Sequence, residues 1–406
     1  MGTLFTKLNT IAKSKGVLAQ SSLAIRNRFL TELSTLVCNY KREISTANQK
    51  DILSAKKQGV TEVFLQRLAI SSHFDKEISR SLSELIALPD PLGKVLDQRV
   101  LANGVRLQKV TTSLGVLLVI YESRPEVTIH AAALSIKSGN CIVLKGGKEA
   151  SKTNTVLAGF IRKALAKSDL PESAVTVLTA VERSQVRKLL KRNDIFDLVI
   201  PRGGYSLVRE VERESNIPVL SHSSGGARIY VDKSADFEMA KCIVIDAKTD
   251  KPATCNSVDT VLVHKEIAQH FIPKLKQALH DKGVLIYETS QAKWEKEFLD
   301  LKVNIGIVEN VEDAVIHIQK NGKGHSEGII AKDKRVIKIF TANIDAAAVF
   351  VNCSPRLHDG GVFGMGMETG IATGKLHARG PVGLNELTSF IWIATGKGQT
   401  RNKMLT

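Results

Sequence analysis

Cys255 stands in the run DAKTDKPATCNSVDTVLVH (246–264), flanked by Thr254 and Asn256, with Lys248 and Lys251 just upstream. Cysteine is the nucleophilic side chain nearest to ionising at neutral pH, so a thiol in a loop beside cations is equipped to attack an activated carbonyl. The two lysines are expected to help lower its pKa. From this stretch alone, an inert loop cysteine fits the same letters.

A second constellation suits anions. CIVLKGGKEASK ends a strand-like run in two glycines, with Lys145, Lys148 and Lys152 around the turn into a helix. Backbone N–H groups at that helix start, with lysine charge, can hold a phosphate; an ordinary glycine turn with solvated lysines satisfies the same segment. IPRGGYS repeats the pattern, with Arg202, Gly203 and Gly204 before a helix at the carboxyl edge of the sheet, where ligands bind in open α/β folds. No G-x-G-x-x-G follows a strand and no G-x-x-x-x-G-K-[ST] occurs, which speaks against a P-loop nucleotidase. His325 and His377 lack metal-ligand spacing with other His, Cys or acids, so no metal is expected, and His325 reads as structural.

The elements that must position these residues follow from periodicity. Residues 4–90 read as helical, with apolar positions at three- and four-residue steps, until LPDPLG breaks the pattern. RVLANGVRLQKV carries an Asn103–Gly104 hairpin signal. Strands and helices then alternate: LGVLLVIYE, a helix over 126–138, CIVLKGG, a helix over 151–167, AVTVLTA, a helix over 182–192, FDLVIPRGG, a helix over 205–215, IPVLSH and ARIYVD. A second series runs from TVLVH through helices over 265–282, 311–321 and 334–343 to AAAVFVN. Short β-branched strands alternating with helices predict an α/β fold, mostly parallel sheet with helices on both faces. The glycine-rich segment 359–383 reads as loop, and LTSFIWIATGK as a strand that completes a sheet elsewhere or on another subunit. Cys255 falls at the junction of two α/β domains meeting near residue 253.

The chain has 406 residues, a net charge of +16 and 43% hydrophobic residues, enough for two or three domains with a large core. No apolar run approaches the roughly 18 residues of a membrane span, so no membrane partner is expected. The positive charge suits phosphorylated small molecules, an anionic surface or no partner at all. Aromatics make up only 5% and interleave no long basic run, so nucleic acid is not expected. Five widely spaced cysteines without C-x-x-C fit reduced thiols in a cytoplasmic protein. The basic, acid-free amino terminus runs straight into an amphipathic pattern and reads as the first helix of the fold.

YESRPEVTIHAAALSIKSGNCIVLKGGKEASKTN, LVIPRGG, DAKTDKPATCNSVDTVLVH and FGMGMETGIATGKLHARGPVGLNELT together resemble the γ-glutamyl phosphate reductases of the aldehyde dehydrogenase superfamily. The likeness covers nearly the whole chain in order, including LNTIAKSKGVLAQSS and ANQKDI. It implies a Rossmann-like NADP-binding domain (1–98 and 119–253), a catalytic domain (254–384), and a small β oligomerisation element (99–118 and 385–406). It implies NADPH-dependent reduction of L-glutamyl 5-phosphate to the 5-semialdehyde in proline synthesis, by a dimer or tetramer functionally coupled to glutamate 5-kinase. Cys255 is then the nucleophile that forms a thioacyl enzyme, with Ser123 and Asn256 also catalytic. Lys145, Gly146, Gly147, Lys148, Glu149, Arg202, Gly203 and Gly204 bind the cofactor, and Arg124, His222, Asn352 and Arg356 bind substrate. Lys145 matches the lysine that grips the adenosine ribose. Lys148 stands where NAD-preferring relatives place an acid, and a cation there favours a 2′-phosphate.

Three departures matter. Ordinary aldehyde dehydrogenases carry a Glu general base in L-E-L-G-G before the cysteine, where this chain reads VLSHSSGGARIYVD with His222 near that place. Without the Glu, water is poorly activated, which suits a reductase and speaks against an oxidising aldehyde dehydrogenase. Their oxyanion Asn in P-W-N corresponds to YESRP, with Ser123 nearest. Finally, VNCSPRLHDGG replaces the expected N-A-S-T-R-F before D-G, keeping Asn352, Ser354 and Arg356 but introducing Cys353 and Pro355.

Overall fold

Five helices account for the amino-terminal periodicity: Gly2–Gln20, Leu23–Asn39, Lys41–Lys57, Glu62–Leu68 and Phe74–Ala87. Ser22 starts the second by accepting the Ile25 amide, as an N-cap serine does. The computed structural model describes residues 2–179, 182–221, 225–288 and 291–401, which divide into two units.

The first unit runs to Leu220 and adds Gly364–Gly370 and the segment from Val382 onward. Its four parallel strands lie in the order Val175–Leu178, Cys141–Lys145, Val116–Tyr121, Leu198–Arg202. Val116–Tyr121 is apolar at every position because it is buried on both faces. Strand order reverses between Val116–Tyr121 and its neighbour Leu198–Arg202, and the crevice at such a switch point is where ligands bind in these sheets.

A separate antiparallel sheet joins Val95–Val100, Arg106–Ser113 and Thr388–Thr395. Its first turn is the expected Asn-Gly: Asn103 Oδ1 accepts the Val105 amide, and Gly104 has φ +82°. The carboxyl-terminal strand therefore finds its partner within its own chain, Thr388 facing Ser113 and Thr395 facing Arg106.

The second unit, Ser221–Phe363 with Ile371–Pro381, holds six parallel strands. Their order is Ala348–Val351, Ser326–Ile330, Ala227–Val231, Val258–His264, Lys302–Val308, Leu285–Glu288. Alternation sorts the side chains. Ile229, Val231, Val261 and Val263 pack with helices Phe237–Thr249 and Lys265–His280. Tyr230, Leu262 and Ile329 pack on the other face with Val311–Asn321 and Lys334–Asn343.

Two expectations change. The described part of IPVLSH, residues 217–221, forms no strand and contributes a bridge between Val219 and Val199. Ala227–Val231, read from sequence as the end of the first domain, hydrogen-bonds to Val258–His264 and belongs to the second sheet. Segment 359–383 is loop apart from the short pair Ile371–Ala372 and Gly380–Pro381.

Candidate active site

Cys255 lies half-buried in the turn between helix Phe237–Thr249 and strand Val258–His264, at the amino end of the sheet. Lys251 adopts φ +50° and its carbonyl accepts the Thr254 amide at 3.1 Å, which closes the turn. The backbone of Gly225 presses directly on the cysteine: a Cβ there would lie 2.4 Å from Cys255 Cβ. The Gly226 amide donates to the Cys255 carbonyl at 2.5 Å, and its φ of +100° suits glycine. Sequence reading passed over this glycine pair; its signal was GG immediately before a strand.

Lys248, expected to assist the thiol, turns inward. It is fully buried, pairs with Asp259 at 3.5 Å and donates to the Asp300 carbonyl at 3.0 Å. Burial pulls its pKa down, against the pull of Asp259. Gly226 packs on the same Asp259, and Glu327 and Arg228 are buried around it. Burial lifts the Glu327 carboxyl to about 8 even though the Arg228 charge and amide draw it back. The turn thus rests on buried ionisable groups.

Asn256 is buried and its amide is fully engaged. Nδ2 donates to the carbonyls of Arg356 (3.3 Å) and His358 (3.0 Å), and Oδ1 accepts from Thr254 Oγ1 (2.9 Å) and from Arg356 Nη1. Arg356 Nε and Nη2 reach Asp250 Oδ2 at 3.1 and 3.0 Å. Both residues named from sequence, one as catalytic and one as a substrate ligand, therefore clamp the Cys255 turn. Asn352 lies elsewhere. It follows the carboxyl end of Ala348–Val351, and its amide pairs with both backbone groups of Ala331 at 2.9 Å. Cys255 precedes the amino end of a strand in the same parallel sheet, so the fold does not bring Asn352 to it. His222 falls outside the described residues.

In the first unit the carboxyl ends of adjacent strands gather the remaining candidates. Ile120 pairs with Lys145 and Tyr121 with Arg202, so segments 121–124, 145–149 and 202–204 emerge together. Neither leading glycine has room for a side chain. A Cβ on Gly146 would meet Asn154 Nδ2 at 2.4 Å, and one on Gly203 would meet Glu122 Cδ at 2.6 Å. Thr128 holds Asn154 in place, donating to it at 2.8 Å. Gly147 packs beside Ser123, whose buried Oγ has no partner among the described residues. Lys145 is half-buried, its pKa lowered by desolvation and supported by Glu149; Lys148 is exposed, as is Arg124.

Both helix starts expected to hold phosphate already carry a carboxylate. Asp51, from the ANQKDI run, accepts the amides of Lys152 (3.2 Å) and Thr153 (2.8 Å). Glu122 accepts the Gly204 amide at 3.0 Å. That leaves lysine charge and the glycine backbone as the anion-holding groups at the 145–149 turn. Sequence reading also missed Glu126 and His130 beside Arg202. Burial raises the Glu126 pKa and lowers that of His130 to about 4, the latter with help from the Arg202 charge. Among the described residues, no three His, Cys, Asp or Glu side chains cluster as metal ligands. All five cysteines are free thiols, and no described helix is long and apolar enough to cross a membrane.

The aldehyde dehydrogenase family model matches residues 13–284. The chain is 39% identical over 389 residues to the gamma-glutamyl phosphate reductase of Caldanaerobacter subterraneus, covering 93% of this chain and 94% of the relative. It is 40% identical over 410 residues to that of Carboxydothermus hydrogenoformans, covering 97% and 99%. The crystal structure of gamma-glutamyl phosphate reductase from Thermotoga maritima superposes with a TM-score of 0.95 at 37% identity, covering 98% of this chain and all of that one.

Proposed function

The chain belongs to the aldehyde dehydrogenase family, and within it to the γ-glutamyl phosphate reductases; from that premise we propose that it reduces L-glutamyl 5-phosphate to L-glutamate 5-semialdehyde in proline synthesis, with Cys255 as nucleophile and NADPH as reductant. The observation that carries the reading is the Cys255 turn, half-buried and held on both sides, by Gly226 at its carbonyl and by Asn256 at the next residue. The thiolate attacks the acyl carbon, a C–S bond forms, the C–O bond to phosphorus breaks, and inorganic phosphate leaves. NADPH, when bound, supplies the hydride that releases the aldehyde and returns Cys255 to the thiolate.

The residues at the 145–149 turn fit a dinucleotide phosphate. Gly146 admits no side chain, Lys145 is a partly desolvated cation, and exposed Lys148 suits a 2′-phosphate. Ser123 offers a hydroxyl for the catalytic step, and exposed Arg124 a cation for an anionic group of the substrate. The first unit is the cofactor domain and the second the catalytic one. The antiparallel sheet exposes Phe390, Ile391, Trp392 and Ile393, which supports its role as the oligomerisation element of a dimer or tetramer. The acyl phosphate is labile, which favours functional coupling to glutamate 5-kinase, and free thiols favour a cytoplasmic setting.

The test is NADPH consumption with substrate supplied by a kinase from glutamate and ATP. Cys255→Ala is expected to lose turnover while keeping its circular dichroism and NADPH affinity. Near-normal turnover in that variant sinks the proposal.

A further inference from the structure

Ser326 opens its strand with a buried hydroxyl between two buried imidazoles. Its Oγ lies 2.7 Å from His325 Nδ1 and 2.8 Å from His358 Nδ1. A serine has one proton to give. If it donates to one ring, the other ring must carry its own Nδ1–H and donate back, so the three groups interlock in one pattern of alternating tautomers. Among the described residues the His358 ring is otherwise held only by aromatic contact, edge-on to His325 at 5.1 Å, stacked at 5.7 Å on Phe363 and tilted at 5.9 Å against Phe350, and its Nε2 has no polar partner there. Aromatic packing tolerates a ring flip; the Ser326 hydrogen bond does not, because a flip would set a carbon against Oγ.

The backbone of His358 does the next part. Its carbonyl accepts from Asn256 Nδ2 at 3.0 Å, one residue from Cys255. The backbone of Ser326 is registered opposite Ala227, directly after Gly226, whose amide holds the Cys255 carbonyl. Both supports of the cysteine turn therefore meet at Ser326, one through its side chain and His358, the other through the sheet.

We infer that Ser326 and His358 are positioning residues for the Cys255 nucleophile: the His325–Ser326–His358 interlock sets where the His358 carbonyl stands, and through Asn256 where the thiol points. This rests on the assignment of Cys255 as nucleophile. The interlock acts on the reacting step rather than on substrate capture, so its loss lowers kcat and spares KM.

The experiment compares Ser326→Ala, His358→Phe and His358→Asn with wild type and with Cys255→Ala in the coupled assay, alongside thermal unfolding. Asn presents a polar atom where Nδ1 stood and keeps the bond to Ser326; Phe keeps the ring and loses it. Ser326→Ala and His358→Phe are expected to drop kcat about tenfold, the worth of one buried hydrogen bond, with KM within about twofold, whereas His358→Asn stays within about threefold of wild-type kcat. Wild-type kcat in Ser326→Ala with only a lowered Tm, or His358→Asn as slow as His358→Phe, overturns the inference. If Cys255→Ala itself turns over, the nucleophile assignment has failed instead, and the two failures are told apart.

Discussion

Arg356 and Asn256 hold each other from both directions: Arg356 Nη1 donates to Asn256 Oδ1, and Asn256 Nδ2 donates back to the Arg356 carbonyl at 3.3 Å. The rest of the guanidinium is anchored on Asp250. An arginine so committed braces the cysteine turn.

Arg356→Lys is therefore expected to behave as a bracing defect. One ammonium cannot span Asp250 and Asn256 in the fork geometry that guanidinium allows. Steady-state kinetics should show kcat falling about tenfold or more, as when charge-assisted hydrogen bonds are lost, with KM for the acyl phosphate little changed. A raised KM at wild-type kcat would assign Arg356 to the substrate's anion instead.

Lys148→Glu should separate the two cofactors. Under the proposed cofactor assignment it sets a carboxylate beside the 2′-phosphate of NADPH, and one lost charge-assisted contact is worth roughly 1.5–3 kcal/mol, about ten- to a hundredfold in affinity. Fluorescence titration should show that loss for NADPH and little change for NADH. Equal losses would remove Lys148 from phosphate recognition.

Gly225→Ala is expected to be severe because its methyl would sit 2.4 Å from Cys255 Cβ. Overpacking of this kind costs about 1–3 kcal/mol, and here the group displaced is the proposed nucleophile. Turnover should be nearly abolished with a modest fall in Tm. Gly374→Ala, with nothing within 4 Å of the added Cβ, should leave both unchanged and serves as the control.

Glu327 gives stability a pH dependence. Its folded pKa is raised from 4.5 to about 8, so the folded chain keeps a proton that the unfolded chain releases. Its stabilising contribution is complete below 4.5 and is lost as pH rises through 8. His130 and His358, held down to about 4, work in the opposite sense, but only below about 6.5. Between pH 6.5 and 8 wild-type stability should therefore fall by about 2 kcal/mol on account of Glu327. Denaturant unfolding of Glu327→Gln should show that slope removed. An unchanged slope would mean that Glu327 is ionised in the fold.

Much of this molecule was legible before folding. Periods of 3.6 and 2 marked helices Ser151–Lys167, Val311–Asn321 and Lys334–Asn343 to their ends, and Asn103–Gly104 marked its hairpin. These signals are local: a few neighbouring residues decide whether a stretch coils, extends or turns. The loop setting of Cys255 and the lysine-flanked turn at 145–148 were visible for the same reason.

Tertiary structure decided everything that depends on a distant partner. Strand Ala227–Val231 looks alike whichever sheet it joins, and only its ladder with Val258–His264 allots it to the second. Lys248 reads as a cation beside a thiol until Asp259 and the Asp300 carbonyl draw it inward. Asn352 reads as a polar loop residue near the site until the parallel sheet sets it at the end away from Cys255. Asp51 sits on amides 101 and 102 residues away, and Asn256 is clamped by carbonyls 100 and 102 residues away. A residue's type declares which bonds it can make, but which of them it makes is set by what the closed chain places within about 3 Å of it, and no short-range pattern records that.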